Sequence, residues 1–131
     1  MKTKKNILKV KFIKTQGFFS GLGIKEYMSI LGNSKISLCP IGASVETYRH
    51  FESLYHGCVT ISTPLPDVWY FKDAPIQIVR CWDELPALVD KLINNPKLLE
   101  EISRKSVEYW HDKLSPKAVA NYIYHSINSL D

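Results

Sequence analysis

The sequence predicts an open parallel α/β sheet of about four strands with a helical wrap at its C-terminal end, the class in which strands and helices alternate. Three observations predict it. Residues 34–61 read as an apolar strand, a small-residue loop, a helix and a second apolar strand. Further strand-like runs flank this unit at 7–14 and 76–79. From Asp83 onward the apolar residues recur at helical spacing.

Residues 7–14 place Leu8, Val10 and Phe12 on one face and Lys9, Lys11 and Ile13 on the other, the period-two signature of a strand with one partly wet face. Gly17, Gly21 and Gly23 mark a turn around Phe18 and Phe19. The spacing GFFSGLG matches neither a Walker loop nor the dinucleotide fingerprint, so the turn is read as conformational. Residues 25–31 form a short helix with Tyr27, Met28, Ile30 and Leu31 apolar.

The next strand ends in Pro40, Ile41 and Gly42, and the helix after it holds Glu46, Arg49 and Glu52 until Gly57 stops it. On a helical wheel Tyr48, Phe51, Leu54 and Tyr55 share the apolar face, Glu52 sits at its border, and His50 falls on the polar side. Residues 62–67 contain two prolines and read as a loop over the sheet edge; Val68, Trp69, Tyr70 and Phe71 form an aromatic cluster, and residues 76–79 the next strand. Asp83 is expected to cap a helix bearing Leu85, Leu88, Val89, Leu92 and Ile93. Pro96 opens a further helix and Ser115-Pro116 another, with Val119, Tyr122, Ile123 and Ile127 apolar on the last.

The 131 residues suit one domain spanning 1–131, and 45% hydrophobic with 23% charged residues describe a globular chain. No run of about 18 apolar residues is present to cross a bilayer. Lys9, Lys11 and Lys14 interrupt what would have to be the apolar region of a signal peptide, so a cytoplasmic protein is expected. Cys39, Cys58 and Cys81 lie in or beside apolar runs and read as buried reduced thiols. Without a CxxC or a paired-His spacing, neither a metal site nor another cofactor is expected. The net charge of +4 is concentrated in Lys2, Lys4, Lys5, Lys9, Lys11 and Lys14. No aromatic residue is interleaved before Phe12, which favours a solvated basic leader over a nucleic-acid platform.

The central unit carries a recognisable pattern: Ser34-Lys35, Leu38-Cys39-Pro40, Gly42, Arg49, Glu52-Ser53 and Gly57-Cys58-Val59. It resembles the donor-binding half of the GT-B glycosyltransferases, within them the exostosin-like branch. The resemblance implies a Rossmann-like sheet, part of a GT-B fold, that binds a nucleotide-sugar donor. Parallel strands joined through such a loop present it, with the helix N-terminus, at the carboxyl edge of the sheet, where N–H groups and the helix dipole favour phosphate.

By this resemblance Gly42, Ala43 and Ser44 would bring backbone N–H groups to a diphosphate, Arg49 would contact it through its planar fork, and Glu52 would accept hydrogen bonds from ribose hydroxyls. The alternatives are a surface pair of Arg49 with Glu46 or Glu52, and for Glu52 an ion pair with Arg49 or His56. Many family members carry a second glutamate eight positions earlier; here that position is Ser44, leaving Glu46, with Thr47 behind it, as the candidate for the donor sugar. Glu46 also suits the first helical turn on its own. His50, His56, His111 and His125 supply no convincing base, and the family's base comes from its other domain. The chain is therefore expected to be incomplete for catalysis, lacking about two βα units and the N-terminal acceptor domain that a GT-B enzyme has. Its partner would be a separately encoded domain or a second copy, docking on Trp69, Tyr70 and Phe71 unless these rings fill the core under the last helices. A non-catalytic interaction or regulatory subunit is the alternative; a flavodoxin-like domain lacks its phosphate loop after the first strand.

Overall fold

A computed structural model describes residues 9–14 and 20–130. Its sheet has three parallel strands among these residues, β1 (Ile36–Cys39), β2 (Val59–Ser62) and β3 (Gln77–Ile78), in the order β1-β2-β3. Ile36 pairs with Val59 and Cys39 with Ser62; Ile61 pairs with Gln77. Helix α1 (Ile24–Gly32) precedes β1, and α2 (Tyr48–Tyr55) joins β1 to β2. After β3 come α3 (Leu85–Ile93), α4 (Pro96–Tyr109), a π-helical turn at Trp110–Leu114 and α5 (Pro116–Asn128).

Both faces of β2 are covered, so its four residues are all buried. Val59 and Ile61 join Val79, Leu92 and Ile102 in a core under α3 and α4. Thr60 and Ser62 point to the opposite face, and Ser62 meets α2 there. A second core gathers Leu54 of α2 with Phe71 and Ile76, flanked by Phe51, Tyr70 and Trp110. The cluster at residues 68–71 thus splits. Phe71 is core, whereas Trp69 lies flat on Tyr122 of α5 with ring centroids 3.9 Å apart.

The proline-led helices start where the sequence places them. Asn95 Oδ1 accepts from the Leu98 N–H at 3.1 Å, Ser115 Oγ from the Ala118 N–H at 3.2 Å, and each cap is followed by a proline whose missing N–H costs nothing there. Asp83 does not cap α3. It sits inside a 3₁₀ turn, Trp82–Glu84, because the Glu84 carboxylate folds back onto the Arg80 N–H at 2.9 Å and its Nε at 3.0 Å, and the α-helix begins after it.

Residues 9–14 form no strand: Val10 is 74% and Phe12 86% exposed. Alternation provides an apolar face but not the neighbouring ladder that a strand needs. Ile7 and Leu8, the four lysine and glycine positions Lys2, Lys4, Lys5 and Gly17, and Phe18 and Phe19 lie outside the described residues. Cys39 and Cys58 are buried free thiols as expected, but Cys81 is exposed, standing just past the end of β3. No described helix is long and apolar enough to cross a membrane.

Gly57 ends α2 at φ +71°, a conformation in which an L side chain is strained. A Cβ there would lie 3.0 Å from Val107 Cγ2 and 3.2 Å from Ser103 Oγ, and Ser103 Oγ donates to the Gly57 carbonyl at 2.6 Å. Gly57→Ala should therefore cost about 1–3 kcal/mol, through the positive φ and the push on α4. Urea unfolding of the two proteins checks this; an unchanged midpoint would show that the turn and α4 yield freely.

Candidate functional site

The candidate residues collect at the carboxyl ends of β1 and β2. The loop from β1 to α2 turns tightly: the Gly42 N–H donates to the Ser44 carbonyl at 3.1 Å, and a Cβ on Gly42 would come within 3.2 Å of Thr47 Cγ2. Gly42, Ala43 and Ser44 are exposed. Thr47 is extended, φ −135° and ψ 159°, and forms the N-cap of α2. Glu46 therefore precedes the helix rather than occupying its first turn, and its carboxylate accepts from the Tyr70 hydroxyl at 2.9 Å. That bond raises the Tyr70 phenol above its ordinary pKa.

Arg49 stands exposed in the first turn of α2, with Nη1 3.5 Å from the Leu38 carbonyl near the end of β1. Glu52, one turn on, accepts from the Tyr27 hydroxyl of α1 at 2.7 Å. Neither takes part in the ion pairs of the described residues, which are Arg80–Glu84, Arg104–Glu108 and Lys105–Glu101. Burial and the bond to Glu52 push the Tyr27 phenol up to about 12, with Arg49 pulling it the other way. Arg49, Glu52 and Tyr27 thus form one electrostatic group linking α1 to α2.

Of the wheel's apolar face, Leu54 is buried and Phe51 packs against the second core, but Tyr48 and Tyr55 are exposed, and His50 and Ser53 are buried in their stead. The strand residues that face α2 are themselves polar, so the helix answers with polar groups. Ser53 Oγ donates to Ser37 Oγ at 2.8 Å and lies 3.8 Å from Cys39 Sγ. His50 Nε2 is 2.9 Å from Ser62 Oγ, whose hydroxyl donates to the Cys39 carbonyl at 3.4 Å. His50 Nδ1 receives the Thr47 N–H at 3.0 Å. His50, 0% exposed, was assigned to solvent by the wheel. Two signals were available: its place three residues after Thr47, where a capping box puts an acceptor, and the small polar residues Ser37, Thr60 and Ser62 within the two strands.

Burial pushes the Cys39 and Cys58 thiols up to about 11, so both stay protonated and unreactive at neutral pH. No group of metal-ligating side chains occurs among the described residues. A separate shallow cleft of about 260 Å³, between Leu65, Val68, Lys72 and Ile78, contains none of the candidate residues.

Over 101 aligned residues, covering 64% of this chain, the sequence is 29% identical to ribitol-5-phosphate xylosyltransferase 1 of Mus musculus. It is 27% identical over 85 residues, 52% of the chain, to the protein of that name in Homo sapiens. The chain is distantly related to a glycosyltransferase. It spans about a fifth of the length of these curated relatives, 22% and 19%. No protein-family model and no solved structure matches it.

Burial lowers the His50 pKa from its ordinary 6.5, against the opposing pull of the Thr47 backbone and Glu46. The unfolded chain then binds the proton first, so stability is level above about pH 6.5 and falls as the pH drops below it, until the folded-state pKa is passed. Denaturation midpoints across roughly pH 5 to 8 should show this slope, and His50→Gln should flatten it. An equal slope in both proteins would assign the acid sensitivity elsewhere.

Proposed function

We propose that residues 1–131 are the donor-binding domain of a glycosyltransferase, GT-B in fold and exostosin-like in type, that holds a nucleotide sugar at the carboxyl edge of β1 and β2. The observation that carries this reading is the convergence of the loop at residues 42–47, Arg49 and Glu52 on one edge of a parallel sheet, in a chain related to a glycosyltransferase. Amides of Gly42, Ala43 and Ser44 face the diphosphate once the Gly42–Ser44 bond opens, and Arg49 supplies the cation that steadies the leaving diphosphate without a metal. Glu52, with one oxygen on Tyr27, keeps the other for ribose hydroxyls. Glu46, similarly held by Tyr70, and the Thr47 hydroxyl address the donor sugar.

Transfer needs an acceptor and a base held within about 3–3.5 Å of the donor carbon, and this edge offers one wall of such a cleft. The domain therefore works against an acceptor-binding partner, and alone it binds without turning over. The three free thiols suit the reducing cytoplasm proposed for it. A second reading, a non-catalytic interaction subunit, is favoured by one observation: Tyr122, Ile123, Tyr124 and Ile127 of α5 are exposed.

Calorimetric titration with uridine and guanosine diphosphates, without divalent metal, tests the first reading. Arg49→Ala should weaken binding by about 1.5–3 kcal/mol while leaving the fold intact. Glu52→Gln should instead narrow the difference between ribose and deoxyribose ligands. No heat at ligand concentrations of about 1 mM would remove the binding reading, and undiminished ribose preference in Glu52→Gln would remove the role of that carboxylate.

A further inference from the structure

We infer that His50 is the positioning residue of this edge: its buried ring fixes the shape of the loop at residues 42–47 by accepting the Thr47 N–H, and Ser62 of β2 holds the far nitrogen of the ring. That the loop holds a diphosphate rests on the function proposed above; that His50 holds the loop does not.

The geometry determines the direction of each bond. The Thr47 N–H points at Nδ1 from 3.0 Å, and an amide can only donate, so Nδ1 is the unprotonated nitrogen. Nε2 then carries the proton and gives it to Ser62 Oγ at 2.9 Å. The Ser62 hydroxyl passes its own proton toward the Cys39 carbonyl at 3.4 Å, at the end of β1. The relay runs from the ligand loop through α2 and β2 to β1, and every donor in it has an acceptor. The opposite tautomer would send Nδ1–H to the Thr47 carbonyl, 3.1 Å away, leaving the Thr47 amide without Nδ1 and turning the Ser62 hydroxyl from the Cys39 carbonyl onto Nε2.

His50 occupies the third helical position after the Thr47 cap, where glutamate or glutamine usually reaches back to the cap N–H. Those side chains also serve a surface helix start. A ring with its far nitrogen on a strand hydroxyl does more: it ties the helix start to the sheet, 12 residues away in sequence. Phe71 packs against the ring, with centroids 5.9 Å apart. Thr47 in turn crowds Gly42, so the cap position sets how closely the loop closes.

The test compares wild type, His50→Ala and His50→Gln by amide hydrogen exchange, reading Thr47 relative to Ile61 in β2, with nitrogen NMR of the His50 ring in wild type at mildly alkaline pH. In wild type Nδ1 should be bare and Nε2 protonated. In His50→Ala the Thr47 amide should exchange about tenfold faster relative to Ile61, the scale of one hydrogen bond, and in His50→Gln it should regain its protection. Uridine diphosphate affinity, measured on the same samples, should follow the Thr47 protection. A protonated Nδ1 overturns the inference, as does a Thr47 to Ile61 ratio unmoved in His50→Ala, or one that His50→Gln fails to restore. If the exchange pattern holds and no protein binds uridine diphosphate, the positioning role stands and the donor reading falls. Should His50→Ala not fold, Ser62→Ala takes its place, and the wild-type tautomer with a faster Thr47 amide in Ser62→Ala decides in favour.

Discussion

Helix α2 meets the sheet through buried polar groups, and the rest of the structure depends on their mutual satisfaction. Ser37, Ser53, Thr60, Ser62 and His50 are all closed to solvent, and among the described residues no buried side-chain nitrogen or oxygen lacks a partner. Each such bond contributes only about 0.5–1.5 kcal/mol net, but orphaning one group costs about 1–3 kcal/mol. That asymmetry makes the seam a device of register. A helix packed by leucines alone could slide or rotate by small steps, whereas Ser53 on Ser37 and His50 on Ser62 admit one placement.

The consequence falls on the edge of the sheet. With α2 held at two points, the side chains of its outer turns have defined positions: Arg49 beside the last carbonyls of β1, Glu52 against Tyr27 of α1. Glu46, outside the helix, is tied by Tyr70 to the loop that also carries Phe71 into the second core. Two carboxylates are thus restrained by tyrosine hydroxyls from different elements, each retaining acceptor capacity. Apolar packing under α3 and α4 fills the core on the other face of β2; the polar seam decides what the edge presents.

Much of the fold was legible because its signals are local. Asn95-Pro96 and Ser115-Pro116 begin helices by capping chemistry that needs no tertiary partner. Gly57 ends α2 because the backbone there requires a positive φ. What could not be read depended on a partner surface. The alternation at residues 9–14 has no ladder to join, Asp83 lost the cap to a carboxylate that preferred Arg80, and Trp69 found Tyr122 on a helix more than 50 positions away in sequence. His50 was misplaced because a wheel treats polar as outward, which fails when the facing strands are polar too. Ser37 in β1, with Thr60 and Ser62 alternating in β2, was the missed clue.

The central claim, that the edge formed by β1, β2 and α2 is a nucleotide site, is tested most directly by mapping amide chemical-shift changes as uridine diphosphate is added to the isotope-labelled chain. The account predicts saturable shifts confined to residues 42–52, the end of β1 at Leu38 and Cys39, and Tyr27 across the Glu52 carboxylate. Shifts centred instead on the cleft between Leu65 and Ile78, or none anywhere, would contradict it.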